Sequence, residues 1–192
     1  MQINTKRIEP YLPVLLKYLN FILVVLWKLG LGKLINVWPS VFGKILIIKH
    51  FGRDSRTSYL TPVNFSEKDG SIYVVSGFGD QSDWYLNIMA NPHVEIWLPD
   101  GWYAAKAEQV EKSTERLPII REVLIASGFA APLFGIYPRT MNDIELEAVA
   151  LHYRLLRIDR QEARTGTDGP GSLAWIWPII LAALCLRKRQ GK

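Results

Sequence analysis

The sequence predicts an α+β protein, mainly β, in which five or six antiparallel strands form a small barrel that closes on itself. Three observations predict this fold class: two hairpin signals lie mid-chain, a helical segment follows them, and apolar segments occupy both ends. The 192 residues suffice for one core domain, and the excess of apolar residues sits at the ends. We therefore expect one barrel with covering helices, flanked by apolar N- and C-terminal helices.

The N-terminal segment, residues 11–31, is strongly apolar, and Pro13 falls where the first turn of a helix tolerates proline. Its longest uninterrupted apolar run, residues 21–27, is far below the roughly 20 residues that span a bilayer. We expect a helix that lies on a bilayer or on the core. A signal peptide is the competing interpretation, but the apolar stretch continues past Lys28 without a small-residue cleavage site.

The middle of the chain contains five segments with strand character. Residues 44–50 come first, and residues 57–65 then lead through Asp69-Gly70 into SIYVVSG. A second pair, HVEIWL and WYAAKAEQV, is joined by Pro99-Asp100-Gly101. Asp-Gly between two such runs is a hairpin signal. We expect two consecutive hairpins and hence an antiparallel meander.

After the hairpins, residues 113–127 predict a helix that ends before Gly128, and residues 148–158 predict the last strand. A polar, Gly-rich linker then leads to a second apolar segment. The predicted organisation is an N-terminal helical segment (1–43), the barrel (44–160), a linker (161–171) and a C-terminal helix with a basic tail (172–192).

The C-terminal apolar stretch, residues 172–186, would extend only about 22 Å as a helix, short of the roughly 30 Å hydrocarbon core. Trp175 and Trp177 suit an interfacial anchor, and basic residues lie on both sides. We expect a tail that lies in the plane of the membrane or re-enters it on the cytoplasmic face, with a full crossing as the alternative.

The formal net charge of +5 favours an anionic partner. No run of five like charges occurs, and basic residues such as Lys6, Arg7, Lys17 and Arg187 lie beside the apolar ends. This pattern favours anionic lipid headgroups and argues against nucleic acid.

Cys185 is the single cysteine, which excludes an internal disulfide and a cysteine-based metal site. The histidines His50, His93 and His152 are too scattered to predict a metal centre. Any redox chemistry therefore requires an organic cofactor.

Two short motifs could bind such a cofactor. The turn Gly52-Arg53-Asp54-Ser55-Arg56 offers two guanidinium groups and a hydroxyl to a phosphate or carboxylate. The competing interpretation is an ordinary surface turn without a ligand. In Thr61-Pro62-Val63, the proline is tolerated only at a strand edge or a bulge, where ligands and barrel rims occur.

A third motif is SGFGDQSDWYLNIMANP, residues 76–92. Its glycines allow a ligand to approach the backbone, and Ser82 is a candidate N-cap for the following short helix. Trp84, Asn87 and Asn91 share one face of that helix. A core position for Trp84 is the competing interpretation.

Residues 44–160 resemble the deazaflavin-dependent nitroreductase and F420H2-dependent quinone reductase family of split β-barrel oxidoreductases. The resemblance rests on four motifs: the GRDS turn, TPV, the strand ending in SGFG and the segment SDWYLNIMANPHVEI. The resemblance implies a split β-barrel, coenzyme F420, and hydride transfer to a quinone or nitro acceptor.

The resemblance also implies a set of site residues. The phosphate and tail of the cofactor would contact Arg53, Ser55 and Arg56. The ring system would face the backbone of Thr61, Pro62 and Val63, and that of Ser76, Gly77, Phe78 and Gly79. Trp84 and Asn87 would shape the pocket, and Tyr85 or Tyr137 is a candidate proton donor.

The alternative is a non-catalytic barrel that binds FMN, haem, or a lipid or fatty acid. Thr57 and Tyr59 stand near positions where many family members carry basic residues, and this departure favours the alternative. Analogy with similar barrels predicts a homodimer. Membrane-associated helices would place the cleft where a membrane-soluble quinone partitions.

Overall fold

The computed structural model describes residues 12–111 and 114–190. The helices are α1 Leu12–Lys28, α2 Gly32–Ile35, α3 Pro39–Phe42, α4 Asp83–Ala90, α5 Arg116–Ile125, α6 Ala130–Leu133, α7 Asp143–Ala150 and α8 Ile176–Gln190, with a 3-10 turn at Gly79–Gln81. The strands are β1 Ile45–Phe51, β2 Ser58–Lys68, β3 Ser71–Ser76, β4 His93–Leu98, β5 Gly101–Gln109 and β6 Arg154–Ala163.

The six strands form a closed barrel in the order β1-β2-β3-β6-β5-β4, with every neighbouring pair antiparallel. The α+β barrel and both hairpins, β2–β3 and β4–β5, are thus confirmed. The expected meander is wrong, because β6 lies between the hairpins and β4 pairs with β1. Closure in this order leaves no strand edge unpaired.

The barrel core follows from the period-2 pattern of the strands. Leu46 and Ile48 on β1, Val74 on β3 and Ile158 on β6 are fully buried and belong to one apolar cluster. Burial of each such side chain stabilises the fold by about 1.5–3 kcal/mol. Ile88 of α4 joins the same cluster, so this short helix is fixed against the barrel.

Helices α5 and α7 form a second apolar cluster against the strand β6. Ile120 of α5, Leu146 of α7 and Leu155 of β6 are all completely buried there. The expected strand over residues 148–158 is therefore wrong in its first part, because α7 continues to Ala150. A capping box between Asn142 and Glu145 starts α7 and satisfies backbone donors at its N-terminus.

Several element ends differ from the sequence expectation. Helix α5 begins at Arg116, β6 extends to Ala163, and α8 begins at Ile176 after a series of turns. Residues 1–11, 112–113 and 191–192 lie outside the described residues, so the basic flanks at Lys6 and Arg7 are not placed.

The apolar ends are helical, as predicted, and they contact each other. Trp27 of α1 is buried against Ile47 and Trp97 on the outside of the barrel. The start of the C-terminal segment then pairs with the end of α1: Leu173 N–H donates to the carbonyl of Lys28 over 2.8 Å. Among the described residues, no helix combines the length and apolar character needed to cross a membrane.

The turn after β3 depends on one glycine, and this yields a stability prediction. Gly79 has φ +54°, and a Cβ there would overlap the carbonyl oxygen of His152. Gly70 has φ +82° in open space. We expect Gly70→Ala to cost about 1 kcal/mol of unfolding free energy. Gly79→Ala should cost about 1–3 kcal/mol more, as measured by urea denaturation. Equal losses would contradict the close approach of His152.

Candidate functional site

Two clefts lie next to each other beside β2. The first, here called the polar cleft, has a volume of about 490 Å³ and is lined by the Gly52 turn and by α4. The second, here called the apolar cleft, has a volume of about 710 Å³ and lies between β2, β3, α5 and α6. Asn20, Thr61 and Trp84 line both clefts, so the two spaces adjoin. The pair of clefts is here called the groove, and its two ends differ chemically.

The apolar cleft is built from strand and helix surfaces that meet at the rim of the barrel. Val63 of β2, Gly77 after β3 and Val123 of α5 contribute to its walls. Phe78 and Phe134 meet edge to face at its mouth, with ring centroids 6.5 Å apart. Leu16 of α1 also lines this cleft, so the N-terminal helix forms part of its wall. These surfaces suit a flat, apolar ligand.

The polar cleft begins at the tight turn after β1. Backbone bonds from Gly52 N–H to Thr57 O (2.9 Å) and from Arg56 N–H to Gly52 O (3.0 Å) close the turn. Gly52 lies close to the Ser55 side chain, since a Cβ there would come within 2.5 Å of Ser55 Oγ. The Arg53 and Ser55 side chains consequently face the cleft.

Arg53 is the cation of the polar cleft. Its guanidinium lies 3.2 Å from Asp83 Oδ1 and 3.7 Å from Asp54 Oδ2. Those carboxylates are 85% and 92% exposed, so each pair contributes little free energy. A phosphate can therefore replace them as the partner of Arg53 at small cost.

Behind Arg53 lies a buried polar network. Asn87 Oδ1 accepts from the Arg53 backbone N–H (3.1 Å) and from its Nη1 (3.3 Å), and Asn87 Nδ2 lies 3.4 Å from His50 Nδ1. His50 Nε2 lies 3.0 Å from Thr61 Oγ1. Burial lowers the pKa of His50 to about 4, so its ring is neutral near pH 7.

Most of the residues that the resemblance implies lie along this groove. The polar cleft is lined by Arg53, Ser55, Thr61, Trp84 and Asn87. The apolar cleft is lined by Thr61, Pro62, Val63, Gly77, Phe78 and Trp84. Their role in binding a cofactor stays a prediction.

Ser76 and Gly79 have evident structural roles in the turn after β3. Ser76 is buried, and its hydroxyl lies 3.0 Å from the carbonyl of Gly79 and 2.8 Å from the Ser82 hydroxyl. Ser82 stands at the N-cap position of α4, but its side chain makes no capping bond, contrary to expectation. Its hydroxyl is engaged with Ser76 instead.

Three other candidates lie away from the lining of both clefts. Arg56 is exposed in the turn with φ 54°. Tyr85 is buried in the barrel cluster, and its hydroxyl donates to Gln109 Oε1 over 2.5 Å. Tyr137 is 56% exposed on the loop after α6. Their predicted roles stay untested.

The structure adds residues that the sequence reasoning missed. Tyr153, just before β6, lines the apolar cleft, and burial raises the pKa of its phenol. His50 and Asn20 reach the groove from β1 and α1. None of these three residues stands in a motif that marks it as a site residue, so only the fold could reveal them.

A third cleft, about 630 Å³, lies near α5, α7 and β6 and contains Arg116 and Arg154. Both guanidinium groups are engaged within the protein. Arg116 donates to the carbonyls of Ala150 and Tyr153, and Arg154 forms two bonds with Asp80, at 2.9 and 2.7 Å. The described residues contain no cluster of His, Cys, Asp or Glu that could hold a metal ion.

The fold and the site define a class of protein: a closed antiparallel barrel with a polar and an apolar cleft side by side. The F420H(2)-dependent quinone reductase family matches residues 31–127, just over half of the chain. The protein belongs to this family. Membership implies an oxidoreductase that uses coenzyme F420.

Solved structures with similar folds include three of interest. An F420-H2 dependent reductase is 21% identical (TM-score 0.44; 60% of this chain and 94% of that chain covered). A conserved hypothetical protein from Mycobacterium tuberculosis is 16% identical (TM-score 0.46; 69% and 81%). The haem storage protein HutZ from Vibrio cholerae is 15% identical (TM-score 0.43; 62% and 82%). No curated protein matches the chain.

The groove fits the cofactor that the family implies. Gly77 has no Cβ, and one placed there would approach only Tyr153, at 3.9 Å, which leaves room for a flat ring beside the backbone. Arg53 and Ser55 stand at the other end of the groove, where a phosphate would lie.

The cationic end can be tested by substitution. Arg53→Ala should weaken binding of oxidised F420 by about tenfold, because it removes a charge-assisted hydrogen bond. Arg139→Ala, which changes an exposed arginine outside the clefts, is the matched control and should bind normally. Fluorescence titration measures both constants. Equal affinities for the two variants would show that the anionic end of F420 lies elsewhere.

Proposed function

We propose that the protein passes reducing equivalents from F420H2 to a quinone at the cytoplasmic surface of a membrane. The observation that carries this proposal is the adjacency of the two clefts, because the arginine-bearing polar cleft shares Thr61 and Trp84 with a larger apolar cleft. A phosphorylated ring cofactor and an apolar acceptor can occupy such a groove together.

When bound, reduced F420 supplies the hydride, and the protein supplies orientation and a dry environment. Arg53 and Ser55 would hold the anionic end of the cofactor. Trp84 and the β2 backbone around Pro62 would align its ring. Phe78 and Phe134 at the mouth would reduce the access of water to the ring and the acceptor.

Tyr153 is the residue we assign to proton delivery. Its side chain lines the apolar cleft, where a quinone oxygen would lie, and a phenol carries its proton at neutral pH. A quinone that gains a hydride becomes an anion that needs one proton, which the Tyr153 hydroxyl can donate and then recover from solvent.

Exposed apolar side chains near the groove support action at a membrane. On α1, Tyr18 and Phe21 are each 66% exposed, on the helix that lines the apolar cleft. Trp38 is 67% exposed beside α3, and α6 is joined to α3 by a bond from Phe129 N–H to Val41 O. The exposed residues of α8 add to this apolar character: Ile179, Leu181, Leu184 and Leu186. A nitro acceptor and a homodimer stay predictions.

The catalytic proposal predicts a requirement for both F420H2 and a quinone. The purified chain should oxidise F420H2 when menadione is added, and reduced FMN should not substitute. Tyr153→Phe should lower kcat about tenfold or more, with F420 affinity unchanged. Tyr103→Phe is the control, because Tyr103 lies on β5 and lines neither cleft. Equal kcat for both variants would remove Tyr153 from the proposal, and absence of turnover would overturn the quinone reductase function.

The membrane proposal predicts that the full chain floats with vesicles containing phosphatidylglycerol. The double variant Phe21→Ser with Ile22→Ser should lower the bound fraction at least about threefold, because it removes apolar area from the exposed side of α1. Ile144→Ser is the matched control, since Ile144 is 81% exposed on α7.

The double variant Leu181→Ser with Leu184→Ser tests α8 in the same way. Loss of flotation with this variant alone would assign anchoring to the C-terminal helix. Unchanged flotation with both double variants would contradict the membrane proposal.

A further inference from the structure

The network behind Arg53 determines the direction of one hydroxyl proton in the groove. Asn87 is 6% exposed, and the same terminal atom of its amide receives two hydrogen bonds from Arg53. Only an oxygen can accept both, so that atom is Oδ1 and the other is the donor Nδ2. The orientation of the Asn87 amide is thereby fixed.

The fixed amide selects one tautomer of His50. Asn87 Nδ2 can only donate, and it lies 3.4 Å from His50 Nδ1, so Nδ1 is the acceptor. His50 is 2% exposed, and its ring is neutral near pH 7. The single ring proton therefore resides on Nε2, which donates to Thr61 Oγ1 over 3.0 Å.

Thr61 consequently accepts a hydrogen bond inside the protein and keeps its own proton for another partner. No other hydrogen bond among the described residues uses the Thr61 hydroxyl. Thr61 is half-buried and lines both clefts at their junction. We infer that the Thr61 hydroxyl donates a hydrogen bond to an acceptor atom of the bound deazaflavin, and that His50 and Asn87 are positioning residues that set its direction.

One amide thus serves both ends of the cofactor. Asn87 holds the backbone and guanidinium of Arg53 through its oxygen, and it orients Thr61 through His50 with its nitrogen. The contact to the anionic end and the contact to the ring are therefore set by one rigid unit. The inference rests on the proposed function in one respect, the identity of the cofactor as F420. It does not depend on which acceptor is reduced or on binding to a membrane.

Binding of oxidised F420 to the full chain tests the donor. Thr61→Val keeps the shape but removes the hydroxyl, and it should weaken F420 binding about three- to tenfold. Thr61→Ser restores the hydroxyl and should bind within about twofold of the parent. Thr140→Val is the control, since Thr140 lies in an exposed loop. Equal affinity of the parent and Thr61→Val would overturn the inference.

The relay has a readout that needs no cofactor. Nitrogen NMR of the unliganded protein near pH 7 should find His50 neutral, with the proton on Nε2 and an unprotonated Nδ1. A proton on Nδ1 would overturn the relay. His50→Gln should weaken F420 binding in the parent but by less than about twofold in Thr61→Val, because the two residues act through one hydroxyl.

These outcomes separate the inference from the proposed function. A chain that binds F420 with the expected dependence on Thr61, yet reduces no quinone, would keep the inference and lose the function. A chain that reduces quinones but whose F420 affinity does not depend on Thr61 would keep the proposed function and lose the inference. A chain that does not bind F420 would lose both.

Discussion

The pairing of β6 with two strands that belong to different hairpins is the constraint on which the structure depends. Val74 of β3 pairs with Leu156, and Ala107 of β5 pairs with Ile158, so one strand closes the barrel. Closure fixes the end of β3 and hence the turn at Gly77. The same strand begins immediately after Tyr153, so that tyrosine is brought to the apolar cleft by strand pairing rather than by local sequence.

Short-range features were predictable because their causes are local. The Asp-Gly turn at residues 69–70, the turn at residues 99–101 and the apolar alternation beside them were enough to place β2 to β5. The position of β6 was not predictable, because the sequence of one strand does not specify which distant strands it pairs with. The N-terminal end of α7 was missed although Asn142 and Glu145 have the spacing of a capping box.

The residues of the site fall into the same two groups, those that local sequence predicts and those that only the fold brings together. The GRDS turn and the α4 helix were found through their resemblance to a family, and both line the groove. His50 and Tyr153 were missed because a solitary histidine or tyrosine gains meaning only from its neighbours in space. Thr61 was expected to contribute its backbone, whereas the hydrogen bond from His50 gives its side chain a direction.

The two ends of the groove differ in what builds them: hydrogen-bonded polar side chains form one end, and apolar side chains of strands and helices form the other. Asn87 and His50 are buried, and hydrogen bonds link Asn87 both to the exposed Arg53 and to His50. The apolar end is bounded by α1 and α6, which also carry exposed apolar side chains. A lipid surface in contact with α1 would therefore also contact one wall of the acceptor cleft, which links the membrane proposal to the chemistry.

The central claim is that one groove holds the cofactor from Arg53 to Gly77, and a crystal structure of the full chain with F420 tests it most directly. The account predicts the phosphate beside Arg53, the ring between Trp84 and the β2 backbone, and an acceptor atom of the ring within hydrogen-bond distance of Thr61 Oγ1. A cofactor bound instead in the cleft that contains Arg116 and Arg154 would contradict it.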